Sequence, residues 1–242
     1  MAHSTLNRLA EIAEDQWGLV TRRQAERAGV SPDTLRRLTR DSSLERVANG
    51  VYHLAGAPSP DHKELRAAWL QLAPDVPAWE RKPNEGVVSH RSAAALYGLG
   101  HLPADRHEFT VAKRKQSRRT DMRLHQRQLN TSEWIHLRGL PTTRPFRIAS
   151  DLLLDHEEPE AVAHVVADAI RDVYDKPGAF VDALAPFAMR FGFRRSDGLA
   201  VLRWLLDLVG DPQAPRWLEE ARNFVESSAV QPEEAPGVAP NQ

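Results

Sequence analysis

The 242-residue chain contains no cysteine. That excludes disulfides, thiolate catalysis and thiolate metal sites, and it fits a reducing cytoplasm. Long apolar runs are missing too: none approaches the roughly 20 residues that a membrane span needs, and Met1 to Leu9 lacks the apolar stretch of a signal peptide. The expectation is a cytoplasmic protein with no membrane partner. Marks of catalysis are equally scarce. The sequence has no Gly-x-Ser-x-Gly, no His-Glu-x-x-His and no Walker-type Gly-Lys-Ser/Thr loop, so hydrolase, zincin and P-loop chemistry lack their signatures. Of its ten histidines, which include His90, His101, His107 and His125, none forms an i, i+4 pair on one helix, and no metal site is expected. A magnesium-dependent nuclease would need clustered carboxylates. Asp105 and Glu108 ahead of Lys113 are the candidates beside a strand, and their spacing departs from the usual Glu-x-Lys arrangement. No catalytic residue and no cofactor is assigned.

What is present is charge, unevenly placed. The formal net charge is −1, yet Arg106 to Arg147 holds 11 Lys/Arg against Glu108, Asp121 and Glu133, and from Asp151 onward 8 Lys/Arg face 17 Asp/Glu. Such asymmetry suits a polyanion or a charged partner; two solvated faces are the plainer alternative.

Apolar spacing predicts a helix through Leu6, Leu9, Ala10 and Ala13 that ends near Trp17-Gly18. Thr21-Arg22-Arg23-Gln24 reads as a capping box opening a short second helix. Ala28-Gly29-Val30 is a tight turn; Ser31 caps a third helix with Pro32 at its first position, where a missing N–H costs nothing. In that helix Leu35 and Leu38 mark the buried side, and at 100° per residue Arg36, Arg37 and Arg40 fall opposite. Leu44 to Val47 and Val51 to Leu54 flank Ala48-Asn49-Gly50, a strong hairpin signal. Helix, helix, turn, helix and hairpin make the order of a winged helix-turn-helix. It puts an arginine-bearing helix where major-groove readers carry theirs. The residues expected on DNA are Thr21, Arg22 and Arg23 at a helix start aimed at a phosphate, Thr34, Arg36, Arg37 and Arg40 on the third helix, and Arg46 and Asn49 on the wing. Winged helices also dock proteins, so a protein-binding module stays open. From Thr21 to Val47 the excess is only three positive charges, which calls for a second basic surface or a second copy. The run Lys113, Arg114, Lys115, Arg118 and Arg119, continued by Arg123 and Arg127, is the candidate for DNA or an acidic partner. The alternative is a solvated hairpin tip.

The expected fold is α+β, in three parts: residues 1–56 as the winged helix-turn-helix, residues 61–226 as a larger mixed domain, and a Pro-rich disordered tail at 227–242. The mixed domain would hold a helix over Leu65 to Leu72, a second over Arg91 to Leu99 and a small sheet. That sheet would comprise Glu108 to Val111, Met122 to His125 and Trp134 to Leu137, with Val87-Val88 as a strand tip. A bundle of four helices past Pro141, and a fifth around Pro215 to Glu226, would close the domain.

Several segments together resemble a known family. After the N-terminal helices come Val88-Ser89-His90-Arg91-Ser92-Ala93-Ala94-Ala95-Leu96-Tyr97-Gly98-Leu99, then Phe109-Thr110-Val111, then Leu140-Pro141-Thr142-Thr143-Arg144-Pro145-Phe146-Arg147-Ile148-Ala149-Ser150-Asp151-Leu152-Leu153. In that order, over roughly residues 5 to 210, the chain is similar to the AbiEi antitoxins. The resemblance implies a winged helix that binds inverted repeats in its own promoter and represses the operon. It also implies a second domain that neutralises a neighbouring nucleotidyltransferase-like toxin, in a type IV system tied to abortive phage infection. By position, DNA contact would fall on Pro32 to Arg40 and Arg46 to Tyr52. Two other readings stand beside it: a stand-alone regulator whose second domain senses a ligand or oligomerises, and a winged-helix-tethered nuclease.

Overall fold

The computed structural model describes residues 2–115 and 119–230. The fold is α+β, and it divides into two compact units. One holds the chain up to Gly98 together with Leu102–Thr143; the other holds Leu99–His101 and the chain from Arg144 onward. The residues expected as 1–56 and the first half of 61–226 therefore share one unit.

The first unit opens with α1 (Ala2–Glu14), β1 (Leu19–Thr21), α2 (Arg22–Arg27), α3 (Pro32–Arg40), β2 (Leu44–Ala48) and β3 (Val51–Leu54). Helix α1 stops short of the expected Trp17-Gly18, because both of those residues turn left-handed, at φ +58 and +75. The Gly18 N–H then closes the turn on the Ala13 carbonyl at 2.8 Å. The three residues that follow form a strand that sequence reading missed, and the antiparallel sheet order is β1-β3-β2. Leu9 and Ala13 of α1, Ala25 of α2, and Leu35 and Leu38 of α3 meet in one core with Leu44 and Leu54. At the hairpin only Gly50 has positive φ (+72), and the register slips between Arg46 and Ala48. One strand thus carries a bulge beside the two-residue turn.

Helix α4 (Lys63–Leu72) packs on β2. Its C-terminal carbonyls are taken by Arg81, which donates to Trp69, Leu70 and Ala73 at 2.5, 2.5 and 2.7 Å and lies 4.2 Å over the Trp69 ring. Burial pulls the Arg81 guanidinium down to about 10. Next come β4 (Val87–Val88), α5 (His90–Tyr97), β5 (His107–Val111), β6 (Met122–Gln126), β7 (Trp134–Leu137) and β8 (Leu140–Thr143), in a sheet ordered β6-β5-β4-β8-β7. The expected three strands and a strand tip are five. The one missed, β8, contains Pro141, which reads as a breaker; Pro141 stands opposite His136 of β7, and the ladder of β8 to β4 is the single pair Val88 with Thr142. Strands β5 and β6 run parallel, His107 beside Met122 and Val111 beside Gln126. The segment between them is therefore a crossover that returns the length of the strand, and the hairpin-tip alternative is corrected: antiparallel neighbours can share a tight turn, parallel ones cannot.

The second unit is helical: α6 (Pro145–Leu154), α7 (Pro159–Arg171), α8 (Pro177–Leu184), a 3₁₀ segment Ala185–Phe191, α9 (Gly198–Val209) and α10 (Ala214–Val230). The first three each carry proline in the first turn, where φ near −65° is already helical. The third helix of the expected bundle, which the sequence would run from Gly178 to Phe191, breaks at Leu184, just before Pro186. At Gly198 a Cβ would lie 1.9 Å from the Val181 carbonyl, so α8 and α9 approach too closely for a side chain. Part of the acidic excess is internal. Asp175 accepts from Arg144 and from the Phe146 N–H, and Asp211 pairs with Arg171 at 2.5 Å. Burial raises the Asp175 carboxyl above its usual range, against the pull of those donors. The tail expected at 227–242 falls outside the described residues from 231 on; up to Val230 the chain is α10.

Candidate nucleic-acid interface

Helix α3 is short and steeply two-sided. Ser31 accepts the Thr34 N–H at 3.2 Å, which fixes its start, and Leu35 and Leu38 are buried at 1 and 2 % exposure. The opposite side presents Arg36, Arg37 and Arg40, all exposed. Arg36 pairs with Asp33 at 3.0 Å and Arg37 with Asp41 at 3.4 Å, both within the same turn of chain. Exposed pairs of this kind contribute about 0.2–1 kcal/mol, so an incoming phosphate exchanges them at little cost. Arg40 has no partner among the described residues, and neither has Arg23 on α2. Thr34 is half-buried, its hydroxyl 3.0 Å from that of Ser31.

The capping box at the start of α2 forms as the sequence predicts, with the Gln24 N–H donating to the Thr21 hydroxyl and the Thr21 N–H to the Gln24 side chain. It does so inside the protein. Thr21 is 0 % exposed, and its hydroxyl donates to the Pro74 carbonyl at 2.5 Å. That hydroxyl cannot also meet a phosphate, so Thr21 is removed from the expected contact set. Arg22 is exposed and bonds Glu26 at 2.7 Å, which holds its guanidinium above the ordinary value. On the hairpin, Arg46 donates to the Asn49 side chain at 2.8 Å, and the Asn49 carbonyl accepts from Gln71 of α4 at 2.6 Å. Arg46 and Asn49 are thus tied to each other and, through α4, to the rest of the unit.

Two buried amides that sequence reading missed hold α2 in place. Gln16 and Gln24 exchange hydrogen bonds at 2.8 and 2.9 Å. Gln16 Oε1 also accepts the Ala78 N–H, and Gln24 Nε2 reaches the Val76 carbonyl. With Arg27 donating to the Asp75 carbonyl at 2.5 Å, residues 74–78 strap the back of α2. No sequence signal marks such a pair, because two glutamines on successive elements read as solvated.

The second basic run comes apart on inspection. Lys113, Arg114 and Arg127 are exposed and have no side-chain partner among the described residues. Lys115 is half-buried and donates to the Leu72 carbonyl at 3.0 Å; burial lowers its ammonium below the usual range. Arg119 is bound to Asp121 and to Gln71, and it pulls the Asp121 carboxyl down to about 2. Arg123 stands 3.7 Å from the buried Glu108. Arg118 lies outside the described residues.

Of the candidate carboxylates Asp105 and Glu108, Glu108 belongs to the interior. It is 5 % exposed while Asp105 is exposed, and it accepts the Arg91 N–H at 3.0 Å. Burial would raise its carboxyl, but the His125 ring 3.7 Å away, the Arg91 N–H and the Arg123 charge bring it below the ordinary value. His125 in turn stacks on His90, ring centroids 3.5 Å apart, and the His90 Nδ1 lies 2.9 Å from the Ser89 hydroxyl. Helix periodicity does not reveal this couple, since the fold brings together the start of α5 and strand β6.

Residues 7–55 match a family model described as "Transcriptional regulator, AbiEi antitoxin". The match runs from within α1 to the residue after β3, and the family is one of regulators rather than enzymes. The segments around Ser89 to Leu99 and Leu140 to Leu153 lie beyond it. No curated protein matches the chain. Among the described residues no helix is long and apolar enough to cross a membrane.

Proposed function

We propose that the N-terminal elements α1 to β3 form a winged helix-turn-helix that binds double-stranded DNA at inverted repeats in the protein's own promoter and represses the operon. In this reading α3 enters the major groove, Arg36, Arg37 and Arg40 meet base edges and phosphates, Arg23 adds a phosphate contact, and the β2–β3 hairpin with Arg46 and Asn49 is the wing. One observation carries it. The segment that matches a family of transcriptional regulators contains a helix whose single exposed side bears three arginines, opposed by no acid from any other element among the described residues. Arg22 is kept as a peripheral contact. Lys113, Arg114 and Arg127 extend the footprint or meet an acidic partner.

The antitoxin half rests on the family match and on the segments outside it that resemble the same family. In that half the protein neutralises a nucleotidyltransferase-like toxin encoded beside it, as part of a cytoplasmic antiviral system. The test of DNA binding is a gel shift with the upstream promoter region across a salt series. Binding that collapses when Arg36, Arg37 and Arg40 become Ala is expected, and undiminished binding sinks the groove-helix assignment. Co-expression with the neighbouring gene tests the antitoxin half separately: no rescue of a toxic neighbour leaves a stand-alone regulator.

A further inference from the structure

A groove of about 430 Å³ opens between α1 and the chain leaving β3, lined by Ala10, Ala13 and Glu14 on one wall and Leu54, Ala57 and Pro58 on the other. Its lining is mostly apolar and its residues are small, so it has depth without a side chain of its own to fill it. The exposed surface of α1 beside it is acidic. Glu14 lines the groove, Glu11 precedes it by one turn, and Asp15 follows at the helix end; all three are exposed, and none has an ion-pair or hydrogen-bond partner among the described residues. Helix α1 has no basic residue in its last turn. Carboxylates at the C-terminal end of a helix oppose its dipole, so they weaken α1 rather than support it. Leu9 and Ala13 of α1 share a core with Leu35 and Leu38 of α3. The outward acids of α1 and the outward arginines of α3 both point away from that shared core.

We propose that this groove docks a basic amphipathic helix of a partner protein: apolar side chains enter between Ala10 and Ala57, and Lys or Arg residues flanking them pair with Glu14, Glu11 and Asp15. The charge beside the groove decides among occupants. An apolar cleft alone would accept any greasy segment; unpaired acids beside it select cations and reject acidic or nucleic-acid ligands. On α1 the lining runs only from Ala10 to Glu14, about one turn, so a partner helix seats one or two of its turns in the groove and extends beyond it. The inference does not depend on DNA binding.

The probe is a fluorescein-labelled peptide of Leu, Lys and Arg, about 14 residues long, with Leu at i, i+3, i+4 and i+7 spacing. A second peptide has the same composition in scrambled order. Fluorescence anisotropy with the full chain is expected to show saturable binding of the patterned peptide, at least tenfold tighter than the scrambled one. Glu11→Lys with Glu14→Lys should weaken it tenfold or more. Ala10→Trp should do the same by filling the groove with those charges intact, and thermal melting checks that each variant remains folded. If Ala10→Trp loses its cooperative melt, Ala55→Trp fills the groove from the opposite wall, which Ala55 also lines. Equal binding of the two peptides, or unchanged binding by a folded groove-filled variant, overturns the proposal. So does sedimentation showing a wild-type dimer that Ala10→Trp dissociates, because the occupant is then a second copy of this chain.

Discussion

Helix α3 and the run from Lys113 to Arg127 both announce themselves in the sequence as arginine-rich surfaces, and the second is richer. In the structure that lead disappears: Arg36, Arg37 and Arg40 stay free of other elements, and among the described residues of the second run so do only Lys113, Arg114 and Arg127. On α3 every arginine is exposed, and its partners, where it has any, are carboxylates of the same helix or its cap. In the second run Lys115, Arg119 and Arg123 are committed to a carbonyl, to Asp121 and Gln71, and to Glu108, on other elements or across the crossover. A count of basic residues measures supply. What a ligand meets is the remainder after the fold has drawn its own.

The comparison is open to test at several strengths. The largest effect is expected from Arg36→Ala, Arg37→Ala and Arg40→Ala together: a loss of promoter affinity of roughly 100-fold or more, from about 1–3 kcal/mol per good base contact, read by gel shift. Gln24→Ala attacks the support instead of the surface. It strands the buried Thr21 N–H and removes both bonds that the Gln16 amide shares with Gln24 and one of the donors to the Val76 carbonyl, and should cost about 2–3 kcal/mol in chemical denaturation. Replacing Lys113, Arg114 and Arg127 by Ala should lower the slope of log affinity against log salt by about 2–3 if all three meet phosphate, while Lys115→Met and Arg119→Met leave the slope alone and reduce thermal stability. A steeper drop from the Lys115 and Arg119 variants than from the free trio would invert the comparison. The smallest effect concerns Glu108. Its folded carboxyl lies below the ordinary 4.5, so it contributes stability above that pH and loses it as the pH falls through the folded value. Glu108→Gln should therefore be less stable near neutrality and flatter in an acid-unfolding profile, with Arg123 released to solvent.

Much of the molecule was legible because it obeys local rules. The capping box at Thr21 and Gln24, the Ser31-Pro32 helix start, the Asn49-Gly50 turn and the Leu35/Leu38 stripe each follow from the spacing of a few neighbouring residues. What escaped was set by partners far along the chain. Strand β1 exists because β3 is there to pair with it, and β8 pairs in spite of Pro141. The parallel pairing of β5 and β6 turned an expected loop between strands into a crossover. In the candidate interface the arginine side of α3 was readable from helix periodicity alone. The burial of Thr21 was not, because its cover comes from Pro74, more than fifty residues on. The division of the second basic run into free and bound cations has the same cause.

The Gln16–Gln24 amide pair and the strap of residues 74–78 also bear on how this protein could be recombined. A cut at residue 56 looks natural, since it falls after the hairpin and before a Pro-containing link, yet it would take away the Ala78 N–H and the carbonyls of Pro74, Asp75 and Val76 that close the back of α2. A hybrid that borrows only those first residues inherits α3 on a loosened mount. The transferable cassette extends at least through Ala78, and through Arg81 if α4 is to keep the guanidinium that finishes it.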